Sequence, residues 1–93
     1  LRKTKILNNI LSNAKYGIYS SQLPLDNQVV VGNIIYGMID GINLNNKLLN
    51  AYNNTIVDFT NIGINLTANV GDYSIKNCLI QKGTTGSSCF SEV

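Results

Sequence analysis

The chain has 93 residues, a net charge of +2 and only 13% charged residues. That length holds one domain or a piece of one, and so small and scattered a charge leaves no nucleic-acid footprint. With no His and two Cys, a conventional zinc site is not expected, and a Ser-His-Asp or Cys-His centre within the chain is excluded.

No run of about 18 apolar residues occurs, so no segment reads as a membrane span. No cofactor motif is present, and none is expected. The chain starts on Leu1 rather than Met, which fits a processed product or a fragment. Asn occurs 15 times and Ile 12 times. Ile favours strands. Asn favours turns and can stack in hydrogen-bonded ladders.

In chain order, Arg2, Lys3 and Lys5 form a short basic start that reads as a solvated terminus. Ile6, Leu7, Ile10, Leu11 and Ala14 match a helical apolar stripe, so residues 5–15 carry a helical alternative. A longer pattern competes with it. Gly-Ile recurs at Gly17-Ile18, Gly41-Ile42 and Gly63-Ile64, steps of 24 and 22 residues, and a further step of 23 reaches Gly86-Ser87.

Aligned on these glycines, residues fall into columns. Eleven before stand Ile6, Val30, Tyr52 and Ile75. Nine before stand Asn8, Gly32, Asn54 and Asn77. Seven before stand Ile10, Ile34, Ile56 and Leu79. One after stand Ile18, Ile42 and Ile64. Positions two apart share a strand face. The predicted repeat core is therefore Ile10, Ile34, Ile56, Leu79, Ile18, Ile42 and Ile64. Asn8, Asn54 and Asn77 form a predicted inward ladder, interrupted at Gly32. An adjacent column, Leu11, Ile35, Val57 and Ile80, is also apolar and reads as a bend or an outer stripe. Polar or Gly-containing stretches at 21–27, 45–50 and 68–72 read as loops.

This succession resembles the repeat of right-handed parallel β-helix proteins, the architecture of pectate-lyase-like proteins, phage tailspikes and many microbial surface adhesins. The matching stretches are ILNNI (6–10) with GIYSS (17–21), VVGNI (30–34) with GINLN (41–45), YNNTI (52–56) with GINLT (63–67), and IKNCL (75–79) with a weaker GSSCF (86–90). The resemblance implies an all-β solenoid of about four coils, 22–24 residues each, over roughly 5–28, 29–50, 51–73 and 74–93. Family members have many more coils. The expected neighbours are thus further coils of a longer chain, or copies stacked end to end.

Chemistry is sparse. Asp26, Asn50 and Asp72 align nine residues after the glycines, where capping of repeated turns explains them. Asp40 and Asp58 fall at other offsets and are not expected to converge. Tyr16, Tyr19, Tyr36, Tyr52 and Tyr73 are candidates for a sugar-stacking surface, with Tyr52 expected inside. Cys78 and Cys89 are a candidate disulfide, although parity points Cys78 outward and Cys89 inward. Asn53-Asn54-Thr55 and Asn65-Leu66-Thr67 are glycosylation sequons with Asn53 and Asn65 outward.

The function expected is that of a noncatalytic extracellular or cell-surface protein: a stalk, adhesin or filament segment, with carbohydrate as a candidate partner. The alternatives are a fragment of a polysaccharide lyase or hydrolase whose active site lies on other coils, and a phage or virus receptor-binding spike.

Overall fold

The computed structural model describes residues 3–21 and 27–93. Asp26 and Pro24, read as loop residues, and Arg2 of the basic start lie outside them. Twelve strands form three parallel sheets of four, stacked as a β-solenoid of about four coils. The first sheet is β1 (Lys3–Leu7), β4 (Asn27–Val31), β7 (Leu49–Tyr52) and β10 (Tyr73–Lys76). The second is β2 (Ile10–Ser12), β5 (Ile34–Tyr36), β8 (Thr55–Val57) and β11 (Leu79–Gln81). The third is β3 (Tyr16–Ser20), β6 (Asp40–Leu44), β9 (Ile62–Leu66) and β12 (Ser88–Glu92). No helix occurs among the described residues, and residues 5–15 lie on β1, β2, the turn between them and the bend that follows β2. The helical stripe loses because the strand pairs along its whole length with the coil above.

Each strand gives its inward residues to a core that runs up the axis. The first sheet contributes Ile6, Val30, Ala51 and Ile75; the second, Leu11, Ile35, Ile56 and Ile80. The third contributes Ile18, Ile42, Ile64 and Phe90, with Leu44 and Leu66. Burying one such side chain contributes about 1.5–3 kcal/mol. A single coil cannot enclose its own interior, so the coils stabilise one another.

Three predicted core residues are on the other face. Ile10 is 70% exposed, Ile34 43% and Leu79 56%, whereas Ile56, Ile18, Ile42 and Ile64 are buried. The cause is register. Ile35 precedes Gly41 by six residues, but its partner Ile56 precedes Gly63 by seven. Alignment on glycine therefore shifted coil three by one residue against the rest, and a one-residue slip exchanges the two faces of a strand. Thr55, not Ile56, shares the outer column with Ile10, Ile34 and Leu79. Tyr52 likewise lies outside, half-buried, in register with Val31 and Lys76.

The turns explain the asparagine content. Between the first and second sheets every coil passes through one left-handed residue: Asn8 (φ 55°), Gly32 (φ 70°), Asn53 (φ 57°) and Asn77 (φ 53°). Asn and Gly are the residues that take this conformation at least cost. Asn8 and Asn77 are thus exposed turn residues and not ladder rungs. Gly32 is no interruption; it fills the same turn.

Candidate functional surface

Two polar systems bind the coils together. The inner one is a carboxamide ladder directly after the left-handed turn. Asn33 Oδ1 accepts from Asn9 N at 2.9 Å, and Asn54 Oδ1 accepts from Asn33 N at 2.9 Å. In the other direction Asn33 Nδ2 donates to Ile6 O at 2.8 Å, and Asn54 Nδ2 to Val30 O at 2.8 Å. The rungs are therefore Asn9, Asn33 and Asn54, so of the predicted ladder only Asn54 belongs to it. The fourth rung is Cys78, whose Sγ lies 3.4 Å from Ala51 O and 3.7 Å from Asn54 Nδ2. Cys78 thus packs against the core, not outward.

Cys89 also packs inward, with Sγ 3.4 Å from Ile80 O. Cys78 and Cys89, the candidate disulfide, are both free thiols in this structure. Each thiol is held instead by a main-chain carbonyl.

The outer system lies on the third sheet and is centred on Asp40. Asp40 is almost fully enclosed, 2% exposed, although no ion pair reaches its carboxylate among the described residues. Four donors replace one. Oδ1 accepts from Asn61 Nδ2 at 2.9 Å and Ile62 N at 3.0 Å; Oδ2 accepts from Asn43 Nδ2 at 2.8 Å and Asn65 Nδ2 at 3.3 Å. Sequence offsets set Asp40 apart from Asp58 and give no sign of amide partners. The structure gathers three asparagines around it, because Asn43 and Asn65 share one outer column of the sheet and Asn61 enters β9 just below Ile62.

A carboxylate only accepts. It therefore turns Nδ2 of the three amides toward itself, and each amide keeps its Oδ1 and a second N–H for other partners. The column Tyr19, Asn43, Asn65 and Ser91 runs through all four coils, at about 4.8 Å per rung. At its foot Tyr16 and Tyr19 stack with ring centroids 4.5 Å apart and planes 7° apart. Tyr19 remains 54% exposed, and Lys15 Nζ stands 5.3 Å from the Tyr16 ring centre. Tyr36 and Tyr73 lie elsewhere, on the second sheet and the first.

The remaining candidates do not join this surface. Asn50 lies in β7 and donates to Asn27 Oδ1 at 3.1 Å, and Asp72 is exposed in the approach to β10. Asn53 is an exposed turn residue, while the Nδ2 of Asn65 that a glycan would use is committed to Asp40. No pocket forms among the described residues, so a ligand would meet an open sheet face. Among the described residues no helix is long and apolar enough to cross a membrane.

Asp40→Asn should lower stability by about 2 kcal/mol, since an amide turns one of its own donors toward donors that now bond a charge. Urea unfolding measures this. Asp58→Asn, at an exposed left-handed turn that tolerates Asn, should change little.

Comparison with protein-family models, with curated proteins and with solved structures yields no match.

Proposed function

We propose that this chain is a noncatalytic structural and adhesive segment, a stalk or surface adhesin of the parallel β-helix type working outside the cell. The third-sheet face is its contact surface. One observation carries the reading: Asp40 spends its whole carboxylate on orienting Asn43, Asn61 and Asn65. A carboxylate with four donors has no free lone pair aimed at a substrate, so its role is positional. The amides set around Asp40, each keeping an acceptor and a second N–H, suit a neutral partner rich in hydroxyl groups. Beside it the exposed Tyr19 offers an aromatic surface, apolar in body and polar at its tip. A neutral glycan combines these properties, and one rung is comparable with one sugar unit of an extended chain.

The test is retention of the protein on a panel of immobilised neutral and acidic polysaccharides, with assay of the supernatant for new reducing or unsaturated ends. Retention on neutral glycans without products is expected. Tyr16→Ala/Tyr19→Ala should weaken it about tenfold, since aromatic contacts contribute about 0.5–1.5 kcal/mol each. Release of cleaved sugar would overturn the noncatalytic reading, and retention unchanged in the double variant would remove the third sheet as the contact face.

A further inference from the structure

The second residue of the third-sheet strand is glycine in each of the first three coils: Gly17, Gly41 and Gly63. None of the three has a left-handed φ. The coil above is what requires them. A Cβ on Gly17 would lie 2.6 Å from Gly41 O, one on Gly41 2.6 Å from Gly63 O, and one on Gly63 2.6 Å from Cys89 O. Each glycine makes room for the next coil's backbone.

The fourth coil breaks this rule. Ser88 pairs with Ile62 and Phe90 with Ile64, so the residue in the glycine column is Cys89. Gly86, three residues earlier, lies outside the column. By the geometry of the three lower rungs, a fifth coil would press its carbonyl oxygen against the Cys89 Cβ. A second substitution accompanies the first. Phe90 replaces the Ile of the lower coils, and its ring lies against Tyr73 with centroids 5.2 Å apart. The top of the stack thus carries a Cβ and an aromatic pair where the lower rungs have glycine and isoleucine.

We infer that the fourth coil is a built-in stop, which refuses a further coil in the register of the first four, whether from a second copy or from another chain. Among its described residues the first coil carries no such bar. The Gly17 position crowds only toward coil two, and among the described residues no donor reaches Asn9 Oδ1, the acceptor that continues the ladder downward. The two ends are inequivalent, and head-to-tail addition of copies is blocked at one of them. This stands apart from the glycan reading, because retention on a polysaccharide does not depend on it.

The experiment compares the unmodified chain with Cys89→Ala and Cys89→Gly under reducing conditions, by light scattering and electron microscopy. Cys89→Ala removes the thiol and keeps Cβ; Cys89→Gly removes both. The unmodified chain and Cys89→Ala should stay dispersed. Cys89→Gly should scatter roughly tenfold more as concentration rises and form filaments with an axial rise of about 4.8 Å. Filaments from the unmodified chain or from Cys89→Ala would overturn the inference, as would a folded Cys89→Gly that stays dispersed. Amide exchange on the unmodified chain decides the matter even if Cys89→Gly does not fold. Exchange along β12 that is independent of concentration supports the stop, and exchange that slows with concentration overturns it.

Discussion

Asn54→Ala should be the most damaging single change to the inner ladder, lowering stability by roughly 3–4 kcal/mol. The side chain is 1% exposed and works in two directions. Without it the main-chain N–H of Asn33 loses its acceptor and Val30 O loses a donor, both within the stack. A buried group left unpaired costs about 1–3 kcal/mol, and the vacated space adds a cavity. In a chain of this length the melting temperature should fall by roughly 15–25 °C. Asn9→Ala is the control. Asn9 is an exposed rung, and its Nδ2 reaches only Leu7 O and Asn33 Oδ1. Its loss should cost under about 1 kcal/mol. Equal effects at the two positions, measured by thermal and urea unfolding, would show that the ladder does not carry the stability assigned to it.

Gly41→Ala should cost roughly 3 kcal/mol, through the addition of a single methyl group. Its Cβ would lie 2.6 Å from Gly63 O and 2.5 Å from Ile56 Cγ2. Neither neighbour can yield easily: one is backbone in a paired strand, the other a buried core side chain. Gly17→Ala meets a similar pair, Gly41 O and Ile35 Cγ2. Coil one has a coil on one side only and can shift, so about half the cost is expected there. Urea midpoints for the two variants test the order. A cost at Gly17 as large as at Gly41 would mean that the first coil is held as rigidly as the second.

Much of this architecture was legible in the residues. The Gly-Ile pairs reported both the coil repeat and the buried column Ile18, Ile42 and Ile64. The second sheet was harder, because two neighbouring apolar columns competed for the interior. Ile10 with Leu11, Ile34 with Ile35, and Leu79 with Ile80 give no preference. Thr55 beside Ile56 does, since a hydroxyl belongs outside, and a register built on that pair places the core correctly. The ladder had a comparable signal. In Asn8-Asn9, Gly32-Asn33, Asn53-Asn54 and Asn77-Cys78 the first member is always Asn or Gly, the mark of a left-handed turn. The second member is then the rung.

The last coil misled for a different reason. Ile80 and Cys89 are nine residues apart where Ile35 and Gly41 are six, and the longer loop puts Gly86 at the spacing of the lower glycines but outside their column. The Asp40 cluster was not legible at all. Its members come from two coils and from both a strand and a turn, so no single offset unites them.

Every sheet among the described residues is parallel, and its strands run in chain order from coil one to coil four. The ladders of hydrogen bonds therefore point along the stack and not around it. β1 lies at the bottom and β12 at the top. A pull between them loads the bonds of one coil at a time, so the stack opens as a peel and not as a shear. Each coil released, about 22 residues, pays out roughly 75 Å of chain. The coils still closed keep their own pairing and core. Under tension such a chain is a tether that lengthens in steps, and it holds its remaining coils intact at each one.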